Sequence, residues 1–139
     1  KIRKPDWVKK VVTKEKYRIQ NDYIVIERTF ATTDKIELKY TADIEVKEDV
    51  NKEKYFKYGA LFYAQPIAAT EQKGKTYATG FNDMMYAPQN KIRYKFIAGH
   101  NARYKNGKIH VRLQNQSNQQ IEKLELIPFG KTILRQVSF

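Results

Sequence analysis

A chain of 139 residues, 41% hydrophobic and 13% aromatic, is long enough for one ordinary core and too apolar to stay disordered. It has no cysteine, which removes disulfides, thiolate metal sites and a cysteine nucleophile together. The net charge of +12 is uneven: residues 1–70 hold fifteen Lys/Arg against eleven Asp/Glu, residues 71–139 twelve against four, and no carboxylate falls between Asp83 and Glu122. No apolar run approaches the ~20 residues that a membrane-spanning helix needs. The first residue is Lys1 rather than Met, as in a processed chain or an excised domain.

Near the start, Pro5-Asp6 breaks regular structure, and Trp7 is expected to plug the end of a barrel or sandwich. Residues 11–13 and 17–19 read as short strands, and Asn21-Asp22 as a turn. The density of β-branched and aromatic residues in 23–30 predicts a strong strand. After a turn at Thr32-Thr33-Asp34, residues 35–40 alternate strictly between polar and apolar, the mark of a half-buried strand. A short strand at 44–46 and a charged loop follow.

Residues 55–66 hold five Phe or Tyr. That run predicts a central strand buried on both faces, with Gly59 at a bulge or close approach and Pro66 at the strand's end or on an edge. Beyond it, Lys73-Gly74-Lys75 reads as a turn and 81–89 as a long irregular connection. Strand character resumes at 91–97, followed by a loop over 99–104. Asn106-Gly107 is the best hairpin signal in the chain. Residues 108–114 alternate again, 115–120 form a polar turn, and 121–128 and 132–139 are expected to close the fold as a pair around Phe129-Gly130. About ten short antiparallel strands, no sustained helical period and no internal repeat predict an all-β, jelly-roll-like β-sandwich formed by one domain over 1–139.

Little of this carries reactive chemistry. His100 and His110 have no third ligand beside them in sequence, so they read as surface or loop histidines. No Gly-rich phosphate loop or nucleophile elbow occurs. Asp43/Glu45 and Glu48/Asp49 read as solvated charge; Asp83, between Phe81 and Met84, is the carboxylate of most interest. The richer signal is the basic stretch Lys91, Arg93, Tyr94, Lys95, Phe96, Arg103, Tyr104, Lys105, Lys108 and Arg112, in which cations follow anions and aromatics can stack on bases or sugars. Plain strand alternation, with aromatics inward and cations in water, accounts for the same pattern.

Three stretches together resemble a known family. Ile2-Arg3-Lys4-Pro5-Asp6-Trp7, then 23–30, then Asp34-Lys35-Ile36-Glu37-Leu38 are similar to the region that follows the catalytic helical barrel in glycoside hydrolase family 127, the β-L-arabinofuranosidase group. Tyr58-Gly59-Ala60-Leu61-Phe62-Tyr63-Ala64 resembles that family's R-G-P-L-V-Y-A strand. Leu126-Ile127-Pro128-Phe129-Gly130-Lys131-Thr132-Ile133-Leu134-Arg135 through Phe139 resembles its C-terminal L-x-P-x-G-x-T-x-L-R-x-x-x-F, the most specific match. Phe30 stands where Trp is usual, Thr33 where Gly is, and Tyr58 and Ala60 where Arg and Pro are.

The resemblance implies an accessory β-sandwich whose partner is the upstream catalytic domain of the same polypeptide. The family's glutamate acid and zinc-bound cysteine lie in the barrel, so no catalytic residue, metal or cofactor carries over to this chain. Two other readings stand beside it. One is a carbohydrate-binding module in which exposed Tyr86, Tyr94 or Tyr104 stacks on sugar rings. The other is a binder of acidic polysaccharide or, ranked last, nucleic acid, through residues 91–112 with Arg93 and Arg103.

Overall fold

The computed structural model describes all 139 residues. The protein is all-β and sandwich-like, built of several antiparallel sheets with no closed barrel. It has fifteen strands rather than about ten, because many ladders are only two or three residues long. The chain divides into two compact units, Lys1–Asp43 and Ile44–Phe139.

In the first unit, β1 (Ile2–Arg3), β4 (Tyr23–Val25) and β3 (Arg18–Gln20) form one sheet, and β2 (Lys10–Val12) pairs with β5 (Lys39–Thr41). Asn21 and Asp22 both adopt positive φ (48° and 60°), the left-handed pair of a two-residue hairpin turn, and they place Gln20 opposite Tyr23. Val8, Val11 and Ile24 are the buried centre, and Trp7 meets Tyr40 edge-on at 6.0 Å.

Two predicted strands shrink in this unit. The run 23–30 pairs only to Val25 because β1 and β3 offer two and three residues to pair with. Beyond it, Arg28 leaves the ladder to bind Glu15 (3.2 Å) and Asp34 (3.0 Å). Likewise 35–38 lacks a partner strand, although Ile36, Leu38 and Tyr40 still turn inward while Lys35, Glu37 and Lys39 face water. Side-chain alternation survives without the ladder.

The second unit is organised on one long sheet. Its order is β11 (Tyr94–Lys95), β13 (Lys108–Asn115), β14 (Ile121–Pro128), β8 (Leu61–Ile67), β7 (Lys54–Tyr58) and β6 (Ile44–Glu48). β12 (Arg103–Lys105) pairs with β13, and β15 (Leu134–Gln136) with β8. The inner face of β7 meets that of β12: Tyr58 stacks on Tyr104 at 3.6 Å, and Phe56 lies 6.0 Å from both Phe96 and Phe139. Phe56, Tyr63, Ile109, Leu113 and Leu126 are fully enclosed in the resulting core.

The stretch 55–66 is therefore a hairpin and not one central strand. Gly59 has φ +60° at the first of two loop residues, which sets Tyr58 opposite Leu61. Glycine at that position, with positive φ there alone, is the two-residue turn whose twist suits antiparallel strands. Burial is one-sided: Phe56 and Tyr63 are enclosed, while Phe62, on the opposite face, is about half exposed (46%). Pro66 does not end β8, which continues to Ile67, but it lies on an edge, since residues 65–67 pair on one side only, with β15. The last two strands do not pair with each other, since both β14 and β15 pair with β8, joined by one 3-10 turn at Phe129–Lys131.

The larger difference lies at 69–88. β9 (Ala69–Thr76) and β10 (Asn82–Pro88) form a long two-stranded hairpin whose strands pair only with each other. Gly74 is no turn residue. It sits opposite a bulge at Asp83, where a Cβ would come within 3.2 Å of the Asp83 Cβ and carbonyl oxygen. The turn is farther on, closed by Tyr77 N–H to the Phe81 carbonyl at 2.8 Å, with Gly80 at φ +79°. Phe81 (73%), Met84, Met85 (56%) and Tyr77 are exposed along this hairpin.

Candidate functional site

Alternation along β13 turns Ile109, Val111 and Leu113 inward and Lys108, His110, Arg112 and Gln114 outward. Residues paired across an antiparallel ladder share a face, so register extends this outer row sideways. Arg103 lies opposite His110 and Lys105 opposite Lys108 on β12. Lys123 lies opposite Arg112 and Glu125 opposite His110 on β14, while Lys95 of β11 lies opposite Gln114. Six Lys/Arg and a histidine thus share a face with one carboxylate.

A groove of about 460 Å³ runs over this face, lined by Asn101, Arg103, His110, Arg112, Lys123 and Glu125 among others. Glu125 binds the Lys108 ammonium and stands 3.5 Å from His110 Nδ1. The Lys108 hydrogen bond holds the Glu125 carboxyl below the usual carboxylate range. Arg103, Arg112 and Lys123 are exposed and have no carboxylate partner. The Asn106-Gly107 turn, with φ of 51° and 78°, pins β12 against β13.

The inner side of the same strands carries a polar cluster. The Tyr94 hydroxyl donates to Glu122 Oε2 at 2.9 Å, and Asn115 Nδ2 donates to Glu122 Oε1 at 2.7 Å. Asn115 Oδ1 accepts the Ser117 N–H at 2.9 Å. The donors from Asn115 and Tyr94 hold the Glu122 carboxyl below its ordinary range. Burial, reinforced by Glu122, pushes the Tyr94 phenol up to about 12, and burial with the neighbouring Tyr104 raises Tyr63 as well.

A phenol whose pKa is higher folded than unfolded stabilises the fold fully below about pH 10, and that contribution is lost as pH rises through the folded value. Thermal melts should therefore show stability falling between about pH 10 and 12. Tyr94→Phe should flatten that decline; an unchanged slope in the variant would remove Tyr94 from the account.

The residues singled out from sequence are dispersed. Tyr94 is buried with its hydroxyl engaged, and so is not an exposed sugar platform. Tyr104 is 40% exposed but gives one ring face to Tyr58. Tyr86 is half-buried on β10, opposite Glu71. Asp83, at the hairpin bulge, accepts the Tyr77 hydroxyl at 3.0 Å. Arg93 is exposed just before β11, and its carbonyl accepts the Gln116 N–H. Of these residues, only Arg103 reaches the basic groove.

The histidines and carboxylates also separate. His110 is on a strand at the groove, while His100 lies in a loop with its ring 4.7 Å from Phe96 and a buried Nδ1 that has no hydrogen-bond partner. Asp43 pairs with Lys9 at 2.6 Å, Glu45 with Lys47 at 3.0 Å, and Glu48 with Lys54. Asp49 serves a turn, accepting the N–H groups of Asn51 and Glu53 and the Ser138 hydroxyl. No three His, Asp or Glu side chains converge as metal ligands would.

Sequence alone marks His110 only as a surface or loop histidine and does not single out Lys123 or Glu125. The Asn-Gly turn was signal enough for the first, because a two-residue loop closing at Lys105 and Lys108 sets Arg103 opposite His110. Lys123 and Glu125 depend on the loop 116–120, whose length does not define a register. No known protein family, curated protein or solved structure matches the chain.

Proposed function

We propose that this chain is a non-catalytic accessory β-sandwich that braces a helical catalytic barrel encoded upstream in the same polypeptide, as in the family 127 glycoside hydrolases its sequence resembles. The observation that carries this reading is the β9–β10 hairpin. A two-stranded hairpin is at best marginally stable alone in water, and this one has no third strand and exposes Tyr77, Phe81, Met84 and Met85. Exposed apolar side chains on an element without a third strand mark a contact surface, and the consecutive Met84 and Met85 offer one on each face of the ribbon. A neighbouring domain laid against the hairpin would supply the missing burial, and the partner is the upstream barrel.

Two measurements test it. The reading frame ahead of Lys1 should encode a helical stretch bearing Cys and Glu. When that stretch and the 139-residue chain are expressed as separate polypeptides they should associate, and Phe81→Ser with Met85→Ser should weaken the association by about tenfold or more, the worth of re-exposing one large apolar side chain. An upstream sequence of another kind would end the proposal, as would association indifferent to the hairpin. Hydrolysis of an arabinoside by the pure chain would end the non-catalytic assignment.

A further inference from the structure

We propose that the outer face of β12, β13 and β14 binds an acidic polysaccharide, a chain of sugars carrying carboxylates, through Arg103, Arg112 and Lys123 with Lys95, Lys105 and Lys108 around them. This site is independent of the bracing role, since it lies on different strands from the β9–β10 hairpin.

Charge is the first reason. Three exposed cations line or border one groove with no carboxylate to neutralise them, and the single acid on the face, Glu125, is already shared by Lys108 and His110. Like charges held on neighbouring strands repel, so a face of this kind is relieved by a polyanion laid across it. The side-chain chemistry is the second reason. A guanidinium presents a planar fork of N–H donors that matches a carboxylate, and Arg103 and Arg112 carry two such forks at fixed positions. Glu125 and the side-chain amide of Asn101, at the same groove, can accept hydrogen bonds. A uronic acid sugar offers hydroxyl donors to them alongside its carboxylate.

The same details weigh against nucleic acid. Binding of single strands relies on aromatic rings that stack on bases. The aromatics of this region turn the other way: Tyr94 is buried, Phe96 packs on Phe56, and Tyr104 stacks on Tyr58. Phosphates also carry no hydrogen-bond donor for Glu125. The ligand chemistry is therefore anionic and hydroxylated rather than anionic and aromatic.

The test uses the 139-residue chain with polygalacturonate as probe, and neutral arabinan and a single-stranded oligonucleotide as comparators. Binding to polygalacturonate is expected to weaken by roughly 50- to 130-fold between 50 and 200 mM salt, as for four to five neutralised charges on a flexible polyanion. Arg112→Glu with Lys123→Glu should abolish it, while Lys73→Glu with Lys75→Glu, on the hairpin, should leave it within about twofold. Should the reversed pair misfold, Arg112→Gln with Lys123→Gln removes the charge without reversing it and should still cost tenfold or more. Polygalacturonate binding that survives these changes would overturn the proposal, as would equal binding to neutral arabinan. Tighter binding to the oligonucleotide, or no binding to any probe, would overturn it too.

Discussion

Phe56→Ala is expected to lower the free energy of unfolding by about 3–5 kcal/mol, the usual cost of deleting a fully buried ring. Phe56 is fully enclosed, with the rings of Phe96, His100 and Phe139 each about 6 Å from its centroid, so the space it leaves is walled by side chains from two other segments, the β11–β12 connection and the C-terminus. Such a site collapses poorly, which keeps the cost at the upper end of the range. In a chain of this length the melting temperature should fall by roughly 10 °C or more. The control is Phe62→Ala, on the partner strand of the same hairpin but turned to the other side and half exposed; it should cost only about 1 kcal/mol. Equal losses at the two positions would show that both faces of the hairpin are core and would overturn the one-sided burial described above.

The second large effect is expected at Asn115, the one buried polar residue of the core. Asn115→Leu keeps the size and removes the amide, leaving Glu122 Oε1 without its 2.7 Å donor and the Ser117 N–H without its acceptor. A loss of about 1–3 kcal/mol follows from leaving such groups unpaired. Asn115→Asp should behave differently, because it places a second carboxylate against Glu122. Two such groups cannot both ionise comfortably, so one of them has its folded pKa raised. A raised carboxyl pKa supplies its stability below the unfolded value near 4 and loses it as pH rises through the folded value. Denaturant melts of Asn115→Asp should therefore show it closest to the parent protein in mild acid and farthest at pH 7. A deficit independent of pH would mean that Asn115 and Glu122 are not coupled.

Local chemistry accounts for what could be read from the amino acids. Asn21-Asp22 and Asn106-Gly107 are turns because their residues tolerate positive φ, and no distant contact is needed to say so. The alternation of 108–114 became β13, and the alternation of 35–40 persists as burial even where no ladder forms. Class followed from these short-range rules: many short apolar–polar runs, punctuated by turns, make an all-β sandwich-like fold.

Partner supply decided the rest, and it is a long-range property. Residues 23–30 have every strand preference, yet the strand stops at Val25 because its neighbours are short. Residues 69–76 have few such preferences and form an eight-residue strand because 82–88 return alongside them. Glycine shows the ambiguity most plainly. Gly59 serves a turn through its backbone angle, whereas Gly74 serves a close approach to Asp83 that only the folded pairing creates. The basic groove has the same origin. Its cations are visible in the sequence, but Arg103, Arg112 and Lys123 become neighbours only once β12, β13 and β14 lie side by side. The strand-rich class, the tight turns and the excess of positive charge are legible in the order of amino acids, because each depends on a residue and its immediate neighbours. Which strands pair, how far each runs and which charges share a face emerge with the folded chain, because a ladder's length and register belong to two segments at once.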